Sequence, residues 1–145
     1  MGDVVVVGVD GSDIAWHALD WAVGEARIRN ATLRIVCAFE DPVATAGLGT
    51  AFGAGAPITV DPAQIEGAAK DVVDEASRRA GDVPMELVSR CDRPADVLCE
   101  ESRGAAMVVV GSRGHSALGS FLLGSVSNHV VHHAMCPVVI VPPEK

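Results

Sequence analysis

The chain has 145 residues, 49% of them hydrophobic, and a formal charge of −8 at pH 7. A chain of that size buries roughly 70% of its unfolded surface, so a single domain over residues 1–145 is expected without disulfide or metal staples. Lys70 and Lys145 are the only lysines, and an acidic surface repels nucleic acid and anionic lipid. The expected partner is a small molecule or another protein.

Residues 3–9, DVVVVGV, form a continuous β-branched run, the pattern of a strand covered on both faces. A helix follows with Ser12 or Asp13 as N-cap, because Ala15, Ala18, Leu19, Ala22, Val23 and Ala26 keep helical spacing; it ends near Arg29–Asn30. Residues 32–39, TLRIVCAF, are a second strand, and residues 46–57, rich in glycine and alanine, read as a mobile surface loop. Asp61-Pro62 opens a helix over 62–80. Then come a strand at 84–89, a helix over 94–101, a strand at 105–110, a helix near 125–135 and a last strand, PVVIV, at 137–141. Five strands alternating with four helices imply an α/β fold: a doubly wound, mostly parallel five-stranded sheet with helices on both faces.

The apolar runs are too short to cross a bilayer, and MGDVVVVGVD lacks a basic segment before its strand. A cytoplasmic location with no membrane partner is expected. Cys37, Cys91, Cys99 and Cys136 are scattered without a C-x-x-C pair and read as reduced, mostly buried thiols.

Ligands of doubly wound sheets bind beyond the carboxyl ends of the strands, where the winding reverses. Three segments fall there: Val9-Asp10-Gly11-Ser12, Cys37-Ala38-Phe39, and GSRGHSALGSFLLGSVS, residues 111–127. The last is not a Walker A loop, because Ser120 stands where the phosphate-binding lysine belongs. Nor is there a G-x-G-x-x-G turn after the first strand, which reads VDGSD. Gly111, Gly114, Gly124 and Ser125 instead match G-x-x-G, nine residues, then G-[ST]. Glycines at that spacing let backbone N–H groups approach an oxyanion, and Gly124-Ser125-Val126-Ser127 opens a helix whose N-terminus favours phosphate.

From VVVVGVDGS to GSRGHSALGSFLLGSVS and MCPVVIVP the chain resembles the single-domain, ATP-binding universal stress proteins. The resemblance implies that Gly8, Val9 and Asp10 line the base and ribose, and that the backbone of Ala38 meets the adenine edge. It further implies that Val110, Gly111, Arg113 and Gly114 cover the ribose and first phosphate, with Gly124, Ser125, Val126 and Ser127 on the outer phosphates. Asp10 resembles the family's acidic residue, which helps hold a divalent cation such as Mg²⁺ on the phosphates. Where a glycine is common before the third helix, this chain reads Cys91-Asp92-Arg93-Pro94. The resemblance also implies a homodimer through the last strand, whose free edge needs cover.

Each signal has a plainer alternative. Asp-Gly-Ser after a strand is also ordinary turn and N-cap chemistry. His115 either touches phosphate or faces water. His129 and His133 have the i, i+4 spacing of a metal chelate, but no third ligand is identifiable and such a cluster is ordinarily a partly solvated helix face. Trp16 and Trp21, five apart, cannot share a helical stripe, so at least one meets a neighbouring helix or subunit. The resemblance implies an adenine-nucleotide sensor or regulator in a stress response. Alternatives are a slow ATP hydrolase, or a module binding cAMP or AMP; no catalytic set is recognisable, so any ATPase activity is expected to be weak.

Overall fold

The computed structural model describes residues 3–40, 61–113 and 123–143. The expected loop at 46–57, Gly114 and His115 lie outside the described residues. In chain order the elements are β1 (Val4–Gly8), α1 (Asp13–Arg29), β2 (Thr32–Phe39), α2 (Pro62–Ala80), β3 (Met85–Cys91), α3 (Pro94–Glu101), β4 (Met107–Gly111), α4 (Ser125–His133) and β5 (Val138–Val141).

Local chemistry sets these limits. Ser12 caps α1 by accepting from the Ala15 N–H, and Asn30 ends it in the left-handed region at φ 53°. Asp61 caps α2 through the Ala63 N–H, with Pro62 at the first helical position. The fourth helix stops at His133 rather than Met135, because Ala134 is already extended.

All pairings are parallel, in the order β3-β2-β1-β4-β5. The chain steps outward from β1 through β2 to β3, then returns to β4 on the other side of β1. A parallel sheet wound this way with right-handed crossovers must change helix face at the reversal. It does: α1 and α2 pack with Val5, Val7, Leu33, Ile35 and Val109 on one face. Val97 and Leu98 of α3 and Val130 of α4 pack with Val6, Val36, Val108 and Val110 on the other. The switch point therefore falls between β1 and β4.

Two side-chain expectations have definite outcomes. Trp16 does meet a neighbouring helix, with the Arg79 guanidinium of α2 stacked 4.6 Å from its ring centroid. The cysteines are free, but only Cys37 is buried; Cys99 and Cys136 are half-buried and Cys91 is exposed, because β3 is an edge strand with little covering it.

Candidate functional site

At the carboxyl end of β1 the Val9 N–H donates to the Val36 carbonyl at 2.9 Å, the last tie to β2. The chain then turns through Gly11 at φ 85°, a backbone state that glycine adopts without strain. Asp10 Oδ1 accepts from the Ser12 N–H at 3.0 Å and from the Ser12 hydroxyl at 2.5 Å. That hydroxyl oxygen in turn accepts from the Ala15 N–H at 3.3 Å. The turn-and-cap role considered for Asp10 is thus present.

Strand β2 outlasts β1. Its last pair with β1 is Val36 with Gly8, whereas Ala38 still pairs with Arg90 of β3. Backbone carbonyls alternate sides along a strand, so the Ala38 carbonyl turns the same way as that of Val36, toward the line that β1 has left. Its backbone, not its methyl group, faces the switch point.

Strand β4 ends on a tie centred at Ser112, a residue that sequence reasoning passed over between Gly111 and Arg113. The Ser112 N–H donates to the Val141 carbonyl at 2.9 Å, and its carbonyl accepts from the Gly124 N–H at 2.8 Å. The Ser127 hydroxyl reaches the same carbonyl at 3.0 Å and the Gly124 carbonyl at 3.1 Å. One residue thereby joins β4, β5 and the start of α4. Only its place between two expected site residues could have signalled this.

Helix α4 opens on Gly124 in an extended conformation, with no side-chain cap. The N–H groups of Ser125, Val126 and Ser127 therefore form the uncapped positive end of a helix dipole. Ser125 is exposed, whereas Ser127 is 2% exposed and its hydroxyl is directed into the tie with Ser112.

The expected apolar site residues are brought to this end of the sheet, but their side chains belong to the core. Val9 and Val110 are buried and Val126 packs against the α3–α4 side, so each offers the site its backbone. Gly8 and Gly111 also serve packing: a Cβ on Gly8 would lie 2.9 Å from Leu98 Cδ1, and one on Gly111 3.0 Å from Ile14 Cγ1. Arg113, half-buried, follows directly after the tie.

Burial, with a smaller contribution from the negative charge of Asp10, pushes the Cys37 thiol up to about 11. A separate open cavity of about 390 Å³ lies beside Phe39, Glu66, Lys70, Val73, Ser89 and Cys91. Its lining includes the last residue of β2, Phe39, and Ser89 and Cys91 of β3.

Among the described residues, no helix is long and apolar enough to cross a membrane. The universal stress protein family model matches residues 1–142. The chain is 37% identical over 155 residues to Universal stress protein Rv1996 of Mycobacterium tuberculosis, covering 97% of this chain and 48% of that protein. It is 38% identical over 136 residues to Universal stress protein Rv2005c of the same species, covering 94% of this chain and 44% of that one. The chain thus spans about half the length of these curated relatives. Among solved structures it is similar to a universal stress protein in complex with cAMP, at 29% identity and TM-score 0.70, covering 99% of this chain and 98% of that one. It is also similar to the universal stress protein from Archaeoglobus fulgidus in complex with dAMP, at 26% identity and TM-score 0.62, covering 96% and 97%. With a matching five-stranded parallel sheet and a family match over nearly its whole length, the chain belongs to the universal stress protein family.

Proposed function

We propose that this chain binds an adenine nucleotide, ATP by preference, at the β1–β4 switch point and acts in the cytoplasm as a nucleotide-dependent regulator. The observation that carries the reading is the uncapped first turn of α4, held beside the end of β4 by the Ser112 tie. Backbone N–H groups at a helix N-terminus are a ready anion site, and here they stand at the crevice where such folds take ligands. The cAMP and dAMP complexes of the two similar structures agree with an adenine nucleotide.

In this reading the Ala38 backbone takes the adenine edge and Gly8, Val9 and Asp10 the base and ribose side. Val110, Gly111, Arg113 and Gly114 cover the ribose and first phosphate. The first turn of α4, Gly124 to Ser127, takes the outer phosphates through its N–H groups and the exposed Ser125 hydroxyl. The Ser127 hydroxyl positions that turn. A nucleotide-bound Mg²⁺ requires hard oxygen donors, and the Asp10 carboxylate is chemically suited to it.

The direct test is mass spectrometry of ligand released from protein purified without added nucleotide, followed by calorimetric titration with ATP, AMP and cAMP. ATP is expected to bind most tightly, and the Gly114→Ala, Gly124→Ala double variant to lose that binding with an unchanged circular dichroism spectrum. Unchanged ATP affinity in the double variant removes the loop assignment. Asp10→Asn keeps an acceptor for Ser12 but discards the charge, so it should abolish any Mg²⁺ dependence of ATP affinity without a large loss of stability. Turnover of ATP is expected far below the usual enzymatic range of about 1–1000 s⁻¹. A rate inside that range that disappears in Asp10→Ala would establish a hydrolase instead.

A further inference from the structure

We propose that the cavity between α2 and the carboxyl ends of β2 and β3 takes a small disulfide bearing carboxylate and ammonium groups, and that Cys91 exchanges with it to form a mixed disulfide. This goes beyond the nucleotide reading and does not depend on it. Two element faces build the lining. Glu66, Lys70 and Val73 stand at i, i+4 and i+7 on α2, which is one helical face. Phe39 pairs with Cys91 in the ladder and Ser89 precedes Cys91 by two residues, so their side chains share one face of the sheet. The volume of about 390 Å³ falls in the range of about 300–1,000 Å³ usual for small-molecule sites.

Each part of the lining has a chemical use. Val73 is buried and Phe39 packs against the same core, which gives an apolar floor. Glu66 and Lys70 are exposed at the rim. Although they lie one turn apart on α2, neither forms an ion pair among the described residues. A carboxylate and an ammonium group are therefore both on offer, and a zwitterion supplies the opposite charge to each. The exposed Ser89 hydroxyl adds a hydrogen-bond donor beside them. Cys91 is the exposed thiol, whereas burial pushes Cys37, Cys99 and Cys136 up. A thiol that keeps its proton exchanges slowly, because the thiolate is the nucleophile.

In the exchange, the Cys91 thiol gives up its proton and its sulfur attacks one sulfur of the bound disulfide. A protein–ligand S–S bond forms as the original S–S bond breaks. The other half leaves as a thiolate and takes up the proton, so Cys91 is oxidised and the departing half reduced.

The test is incubation of the full chain with oxidised glutathione, with adducts located by peptide mass spectrometry and their rate followed against disulfide concentration. One adduct is expected, on Cys91, and its rate should level off with concentration because binding precedes exchange. Lys70→Gln should slow the reaction about threefold, the size of one solvent-exposed ion pair. Arg103→Gln removes an exposed cation just after α3, on the opposite face of the sheet. It should leave the rate unchanged, which separates a loss at the cavity from a loss of overall charge. Cystamine, a disulfide without carboxylates, should not be slowed by Lys70→Gln. Absence of a Cys91 adduct overturns the site. So does a rate strictly proportional to concentration into the tens of millimolar, a Lys70→Gln rate equal to wild type, or equal slowing by Lys70→Gln and Arg103→Gln.

Discussion

Ser125 and Ser127 share the first turn of α4 but have opposite surroundings. Ser127 is 2% exposed and its hydroxyl supports the Ser112 carbonyl; Ser125 is exposed. Ser127→Ala should lower the unfolding free energy by about 1 kcal/mol, the usual cost of a buried hydrogen bond. Ser125→Ala should stay within about 0.5 kcal/mol of wild type. Urea denaturation measures both, and equal stabilities would show that the Ser127 hydroxyl adds nothing to the tie at Ser112. A like contrast holds for thiols. Cys37 is 4% exposed with its thiol pushed up to about 11, whereas Cys91 is exposed. An aromatic disulfide reagent at neutral pH should modify Cys91 quickly and Cys37 only on unfolding, because the thiolate is the reactive form. Proton linkage gives a second consequence. Because the folded state raises the Cys37 value above the ordinary 9.0, its contribution to stability is fully present below pH 9. That contribution is lost as pH rises toward about 11. Cys37→Ser should flatten that alkaline decline.

Between elements, Arg34 of β2 is the main charged link. Its guanidinium reaches Glu86 of β3 at 2.7 Å and Glu101 at the end of α3 at 3.0 Å. Arg34 is 23% exposed and Glu101 21%, so this pair is less screened than the fully solvated ones. An isolated surface pair contributes little, but one arginine binding two separate elements loses both partners at once. Arg34→Ala should cost about 1 kcal/mol in low salt, with the cost shrinking in high salt as screening weakens the native pairs. A thermal melt of Arg34→Ala that equals wild type at low ionic strength would show the link to be idle. Arg79 over Trp16 is the corresponding contact between α1 and α2, made by an aromatic face rather than a carboxylate.

At the scale of the whole sheet, β5 forms one edge. Val138 and Ile140 pack toward α3 and α4, and Val139 and Val141 toward α1, so the side chains are already used. What remains for a partner is the backbone edge. The Pro137 and Val141 carbonyls accept from the N–H groups of Val108 in β4 and of Ser112 just after it, so the odd residues turn inward and Val138 and Ile140 present their N–H and C=O groups outward. Unpaired edges of this kind invite pairing with another copy, and the homodimer that the family resemblance implies would join two such edges about a two-fold axis. Ile140→Pro removes an outward donor without breaking the β4 ladder. It should therefore shift the chain to monomer in sedimentation at micromolar concentration while circular dichroism stays native. A monomeric wild type, or a variant that dimerises as well as wild type, would rule the interface out.

The alternation of elements was legible because each carries its own local signal. The β-branched run of β1, the helical spacing from Ala15 to Ala26 and the Asp61-Pro62 start are read within a few residues, and parallel winding follows from their order. Residue types and glycine spacing likewise marked Gly111, Gly124 and Ser125 as a phosphate-loop candidate. Contacts between distant segments decided the rest. The exposure of Cys91 depends on β3 being an edge strand, and the Ser112 carbonyl meets the Ser127 hydroxyl only after β4 and α4 have packed. Asp96 reaches His129 only because α3 and α4 lie side by side on one face of the sheet. Local propensity acts over a few neighbours along the chain, so a partner 33 positions away in sequence is set by the packing of elements and is invisible before the sheet is assembled.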